Sequence, residues 1–153
     1  MGIDPGVAST GYGVIRASAE ELCLLDHGMI TTSPRLEHAE RLKLIYREVR
    51  QRLDQYRPDA LAIEGLFHSK NIKALVDVSE TIGVVTLAAS QFDIKVTKLT
   101  PLKVKSSIVG FGKADKEQVQ LMIQNILGLD EPLRPHHVSD ALAVAICYRN
   151  LNF

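Results

Sequence analysis

A chain of 153 residues, 46% hydrophobic and 24% charged, can build one domain around a core that needs no staples. No apolar run in it approaches the roughly 20 residues of a membrane span. Its 18 basic and 18 acidic residues cancel, which argues against a protein held on nucleic acid by bulk charge alone. Two cysteines, Cys23 and Cys147, are too few for a disulfide framework and read as reduced thiols. No signal peptide is expected, because the opening residues are glycine-rich rather than basic and then apolar. The expected compartment is the cytoplasm.

In chain order, residues 2–4 read as the end of a first strand. Residues 11–17 and 22–31 alternate apolar and polar as two more strands joined by short polar turns. Ser33-Pro34 supplies a cap and an N1 proline for a helix. That helix carries Leu42, Ile45, Tyr46, Val49, Leu53 and Tyr56 on one face and stops before Pro58. Residues 59–64 form a short buried-strand run that finishes on Glu64. A second helix is expected over 70–91, with Leu75, Val78, Ile82, Val85 and Ala89 inward, and a fifth strand over 94–99. Two helices follow at 102–109 and 116–127, the latter ending at Gly128, and a last one at 138–150. Three strands without crossover helices suggest an antiparallel meander, and two reached through helices suggest parallel additions to the same sheet. The class is α/β with a five-stranded mixed sheet flanked by helices. If the fourth strand lies beside the first, Asp4 and Glu64 meet at the strand ends, where open α/β sheets tend to place ligands.

The acids at those ends carry the chemistry. Asp4 sits within Gly2-Ile3-Asp4-Pro5-Gly6, and glycine allows backbone, phosphate or metal to approach closely. His137 and Asp140, spaced i, i+3, share one side of the last helix's first turn. Singly, each acid has a plainer account: a turn residue, a strand-end charge, a helix-start acid favoured by the dipole. Together they form an oxygen-rich set with one imidazole, suited to Mg²⁺ or Mn²⁺. Two crowded carboxylates stay ionised only with a cation between them. Paired hard cations are a known solution for phosphodiester cleavage. Between residues 95 and 120, six lysines face only Asp115 and Glu117, a local basic stretch that suits a phosphate-bearing partner.

These residues bring a specific resemblance into view. The runs Gly2-Ile3-Asp4-Pro5-Gly6 with Gly11-Tyr12-Gly13, Ala62-Ile63-Glu64, Val104-Lys105-Ser106-Ser107-Ile108-Val109-Gly110, Lys113-Ala114-Asp115-Lys116-Glu117-Gln118-Val119 and Ser139-Asp140-Ala141-Leu142-Ala143 occur in order over nearly the whole chain. In this the sequence resembles the RuvC-type Holliday-junction resolvases (crossover junction endodeoxyribonucleases) of the RNase H-like superfamily. The resemblance implies Asp4, Glu64, His137 and Asp140 as catalytic metal-site residues holding Mg²⁺, two ions per site, with Mn²⁺ as a substitute. The position of His137 is an aspartate in some members and a histidine in others, and His136 next door is the alternative ligand.

The resemblance further implies that Phe67 stacks on bases at the junction crossover, that Lys105 and Lys116 lie near the scissile phosphates, and that Lys70, Lys103 and Lys113 contact DNA. It implies a homodimer, for which the apolar 71–91 helix is the candidate surface, four-way junction DNA as substrate, and the branch-migration helicase complex RuvA–RuvB as partner. Paired nicks leaving 5′-phosphate and 3′-hydroxyl ends would serve recombination and DNA repair. Relatives carry a few apolar residues ahead of Gly-Ile-Asp. Here Met1 abuts Gly2, so a short first strand and a less firmly placed Asp4 are expected. The alternatives are an RNA-processing nuclease of the same superfamily and a junction-binding module without cleavage. An actin-like ATPase also opens on an Asp-x-Gly loop, but it needs a second phosphate loop that this chain does not display.

Overall fold

The computed structural model describes residues 1–66, 71–110, 115–131 and 133–153. Its elements run β1 (Gly2–Asp4), β2 (Ser9–Ala17), β3 (Leu22–Thr31), α1 (His38–Tyr56), β4 (Ala60–Glu64), α2 (Ile72–Ser90), β5 (Lys95–Leu99), α3 (Pro101–Val109), α4 (Lys116–Leu127) and α5 (His136–Asn152). They form a five-stranded sheet in the order β3-β2-β1-β4-β5. The β1–β2 and β2–β3 pairs are antiparallel, and β1–β4 and β4–β5 are parallel. The meander and the two crossover additions stand as the sequence pattern predicts. Because β1 pairs with β4 through Gly2 with Ala62 and Ile3 with Ile63, Asp4 and Glu64 leave neighbouring strands at the same end.

Period-2 alternation divides the sheet into two faces. Ile3, Tyr12, Leu61 and Ile63 join Ile45, Val49 and Leu53 of α1 and Ile82, Val85 and Ala88 of α2 in one core. Ala62 turns to the opposite face, where Val104 and Ile108 of α3, Val119 and Ile123 of α4, and Val138, Leu142 and Ile146 of α5 form the second core. Asp4 and Glu64, in phase with Gly2 and Ala62, belong to this second face.

Helix α5 reaches that face because the strands beneath it lack side chains. A Cβ on Gly2 would stand 2.1 Å from the Ala141 carbonyl oxygen, and one on Gly11 would stand 1.9 Å from the His137 carbonyl oxygen. One on Gly13 would meet Leu142 at 2.4 Å. Of the approaches that glycine permits near Asp4, the realised one is a helix backbone.

β1 is short, as expected, but Met1 prolongs its ladder. The Met1 amine donates to the Ala60 carbonyl over 2.9 Å, and the Ala62 amide donates to the Met1 carbonyl over 2.8 Å. Ile3 is fully buried, so the brief strand is held on both sides.

One sequence expectation fails. Ser33-Pro34 does not open α1, which begins at His38 with Glu37 as its N-cap. The Arg35 amide donates to the Ser33 hydroxyl and the Leu36 amide to the Ser33 carbonyl. Ser-Pro is thus used in a turn that redirects the chain out of β3, a role these residues fill as readily as a helix start. The remaining helices agree to within two residues. The last begins two residues early, so His136 and His137 are helical.

The glycine contact makes a direct prediction. Gly11→Ala should lower the stability by about 1–3 kcal/mol or more, as overpacking does, because the atom it meets is helix backbone that cannot rotate away. Urea denaturation followed by circular dichroism measures this. An unchanged midpoint would mean that α5 does not depend on the bare strand.

Candidate active site

Each acid is delivered by the end of an element. Asp4 terminates β1 and Glu64 terminates β4, while His137 and Asp140 lie in the first turns of α5. The i, i+3 spacing and the close approach over Gly11 bring the helix residues to the strand acid. His137 Nδ1–H donates to Asp4 Oδ2 over 2.6 Å. Donor atoms of Asp4, His137 and Asp140 all lie within 4.8 Å of one another. Of the two adjacent histidines, His137 is the one that meets Asp4. His136 is exposed, and its carbonyl accepts from the Ser139 hydroxyl.

Glu64 stands between two depressions. One, about 270 Å³, is lined by Asp4, Pro5, Gly65, Leu66 and the start of α2. The other, about 250 Å³, is lined by Lys105, Lys116 and Asp140 together with Pro101, Val104 and Val119. The four acid-site residues and two of the predicted lysines therefore converge. Lys103 sits exposed on α3 and does not line either depression. Phe67, Lys70 and Lys113 lie outside the described residues.

Local sequence explains the lysine placement. Asp115 caps α4 by accepting from the Gln118 amide at 2.8 Å, while the Asp115 amide donates to Gln118 Oε1 at 3.1 Å. This reciprocal box fixes the first turn and sets Lys116 at its start, with Nζ 3.8 Å from Asp140 Oδ2. Asp115, counted in the sequence as a charge against the lysines and as part of a family run but given no role of its own, is thus what positions one of them. The signal was available: Asp-Lys-Glu-Gln before an apolar run is a helix-start pattern.

The electrostatics are those of crowded acids. Burial pushes the Asp4 carboxyl above its ordinary range, the hydrogen bond from His137 pulls it down, and the charge of Asp140 pushes it up again. Glu64 is pushed up to about 7, first by burial and then by Asp4 and Asp140, with Lys116 and Lys105 opposing. Two raised carboxyls beside a third acid, with an imidazole nitrogen among them, fit a hard divalent cation, whose charge would offset the crowding.

A second donor set, His38 with Asp77 and Glu80, meets the same spacing. Its closest pair, His38 Nε2 and Glu80 Oε2 at 2.5 Å, is about two-fifths exposed on both sides. Such a pair is an ordinary surface contact.

Fold and donor set together define a class: an RNase H-like sheet with, at the carboxyl ends of its central strands, a donor set that could hold a cation. Within that class the family model for crossover junction endodeoxyribonuclease RuvC matches residues 1–148, and the chain belongs to that family. The curated RuvC of Syntrophomonas wolfei is 47% identical over 148 residues, 97% of this chain and 86% of the relative. The structure of T. thermophilus RuvC in complex with Holliday junction substrate superposes with a TM-score of 0.92 at 36% identity, covering 98% of this chain and 93% of that one. The yeast mitochondrial Holliday junction resolvase Ydc2, at 11% identity and a TM-score of 0.66 over 97% of this chain and 78% of its own, shares the fold.

The raised Glu64 carboxyl has a measurable consequence. A folded-state value of about 7 against the ordinary 4.5 means that between those pH values the folded chain keeps a proton that the unfolded chain has released. This group's contribution is then fully present below about pH 4.5 and is lost as pH rises through about 7. In metal-free buffer, Glu64→Gln should raise the Tm at pH 8 by at least about 2 °C and leave it unchanged near pH 4.5. Equal melting curves for the two proteins at both pH values would contradict the crowding.

Proposed function

We propose that this chain resolves four-way DNA junctions by divalent-metal-dependent nicking, in homologous recombination and repair. The observation that carries the reading is the donor set of Asp4, His137 and Asp140, with Glu64 lining the depressions on either side, one of them shared with Asp4 and the other with Asp140, Lys105 and Lys116. It occurs in a fold that superposes on a junction-bound relative. Asp4, Glu64, Asp140 and His137 would hold two Mg²⁺ ions, with Mn²⁺ an acceptable substitute. Such cations supply Lewis acidity at the attacking water and at the departing 3′ oxygen.

The chain's own groups do the rest. Asp4 and Glu64, at adjacent strand ends, offer oxygens on the second face of the sheet, and with no cation bound the His137 ring holds Asp4 through the 2.6 Å contact of its Nδ1. Lys116, its ammonium exposed beside Asp140, and Lys105, on the facing side of the same depression, offset the charge that gathers on the phosphorane. Lys70, Lys103 and Lys113 serve as phosphate contacts that position the junction without reading sequence. Phe67, following the Glu64 strand, stacks on an unpaired base at the crossover, a contact worth about 1–3 kcal/mol.

One chain, acting as a single domain, makes one nick, and symmetrical cutting calls for a two-fold pair of sites. The α2 face carrying Ile72, Val76 and Leu87, exposed at 75%, 49% and 56%, is our candidate for the homodimer contact. Cytoplasmic action alongside a RuvA–RuvB branch-migration complex completes the proposal.

The primary test uses an end-labelled mobile junction with Mg²⁺, Mn²⁺ or EDTA. The wild-type chain should give paired nicks with 5′-phosphate ends, and Asp4→Asn should bind the junction but cut at least about a hundredfold more slowly. Binding without cutting by the wild type under either metal would sink the nuclease reading.

The dimer face has its own test. Leu87→Glu should shift the chain from dimer to monomer in sedimentation velocity and replace paired nicks by single ones. A dimer that persists in this variant would place the interface elsewhere.

A further inference from the structure

Between Asp4 and β2 the chain passes through residues 5–8 without regular structure, yet three successive carbonyls of that loop are each engaged. The Thr10 hydroxyl donates to the Gly6 carbonyl over 2.7 Å. The Thr32 hydroxyl donates to the Val7 carbonyl over 2.6 Å, and the Thr32 amide donates to the Ala8 carbonyl over 3.1 Å. The Gly6 amide returns a longer bond of 3.4 Å to the Thr10 hydroxyl. Both threonines are buried, at 0% and 7% exposure.

The direction of the Thr32 bond is fixed by a further residue. Arg41 Nε donates to the Thr32 hydroxyl oxygen over 2.8 Å, and a guanidinium has no acceptor. The hydroxyl hydrogen must therefore point to Val7. Arg41 lies on the first turn of α1, so the loop after Asp4 is tied to a helix on the opposite side of the sheet from α5.

Packing alone gives no reason for this arrangement. A buried hydroxyl is costly unless bonded, and valine, of the same shape, suits the end of a strand at least as well. What the hydroxyls add is direction: they hold the backbone that leaves Asp4 along one path. We propose that Thr32 and Arg41, with Thr10, are positioning residues that act through the 5–8 loop to hold the Asp4 carboxylate in its cation-binding geometry. The proposal rests on the nuclease reading above and deepens it. Outer partners of ligating carboxylates commonly control affinity in this way, and a displacement of about 1 Å at a reacting centre can cost about a hundredfold in rate.

The test compares wild type with Thr32→Val, Thr32→Ser and Arg41→Met, using Thr31→Val on the neighbouring exposed position as control. Three quantities are read: the urea midpoint, Mn²⁺ affinity by electron paramagnetic resonance with the metal alone, and junction cutting as a function of Mg²⁺. Thr32→Val should stay folded, bind Mn²⁺ about tenfold more weakly, and need correspondingly more Mg²⁺ for half-maximal cutting. Thr32→Ser, which keeps the hydroxyl, should recover both, Arg41→Met should fall between, and Thr31→Val should match wild type.

A folded Thr32→Val that binds Mn²⁺ as wild type does would overturn the proposal, leaving the clamp a purely structural feature. So would a Thr32→Ser that fails to recover Mn²⁺ affinity. If Thr32→Val unfolds, Arg41→Met carries the comparison, and unaltered Mn²⁺ binding there overturns the proposal too. Should the wild type bind Mn²⁺ but leave junctions whole, the nuclease reading fails while the Mn²⁺ comparison still decides the clamp. A wild type that binds no Mn²⁺ overturns the clamp as a cation-site device.

Discussion

The arrangement turns on one steric permission: a helix lying directly on the bare backbone of two strands. Gly2 and Gly11 leave room for the α5 backbone where any Cβ would collide with it, and Gly13 leaves room for the Leu142 side chain. That contact sets how far His137 stands from Asp4, and so decides whether an imidazole and two carboxylates form one site or three unrelated surface groups. It also explains the makeup of α5, whose inward side carries Ala141, Ala145 and Leu142 rather than larger rings. Small residues on the helix answer absent ones on the strands, as close backbone approach demands.

The site that results is held together against its own charge. Burial and the charge of Asp140 raise the proton affinity of Asp4, and burial, Asp4 and Asp140 raise that of Glu64. The protein relieves this only in part, through His137 on Asp4 and Lys116 near Asp140. Scaffold strength elsewhere bears the strain. The Ile3, Leu61 and Ile63 side of the same strands is fully buried against α1 and α2, so the strand ends cannot drift apart to ease the repulsion. Rigidity on one face is what allows electrostatic discomfort on the other, a common condition of sites built to receive a cation.

Much of this was legible in the residues, for reasons that differ by element. The change from period 2 to period 3.6 marked the strands and helices, and crossover logic put two parallel strands in the same sheet. That β4 lies beside β1, which pairs Asp4 with Glu64, was only a condition in the sequence and comes from the observed strand order. The α1 start was misread because Ser33-Pro34 obeys the same local chemistry in a turn as at a cap. The choice between His136 and His137 could not be made by spacing, since one residue of helix rotation separates them. What the structure adds is that His137, not His136, meets Asp4 where α5 rests over Gly11. The Thr32 hydroxyl and the Val7 carbonyl, 25 residues apart, follow no periodicity at all. Such a bond becomes visible only once β3 and the 5–8 loop are adjacent in space.

The parallel pairing of β1 with β4 carries one more implication. Alternation turns Glu64 toward α5 while Ile63 beside it enters the apolar layer of Ile3, Ile45 and Val85. Sliding β4 by a single residue would exchange the two, thrusting a carboxylate into a layer of hydrocarbon with neither donor nor counter-ion. The acid that makes the native strand end uneasy makes the shifted sheet prohibitive. In this way the acid at the end of β4 also proofreads the alignment of the strands that present it.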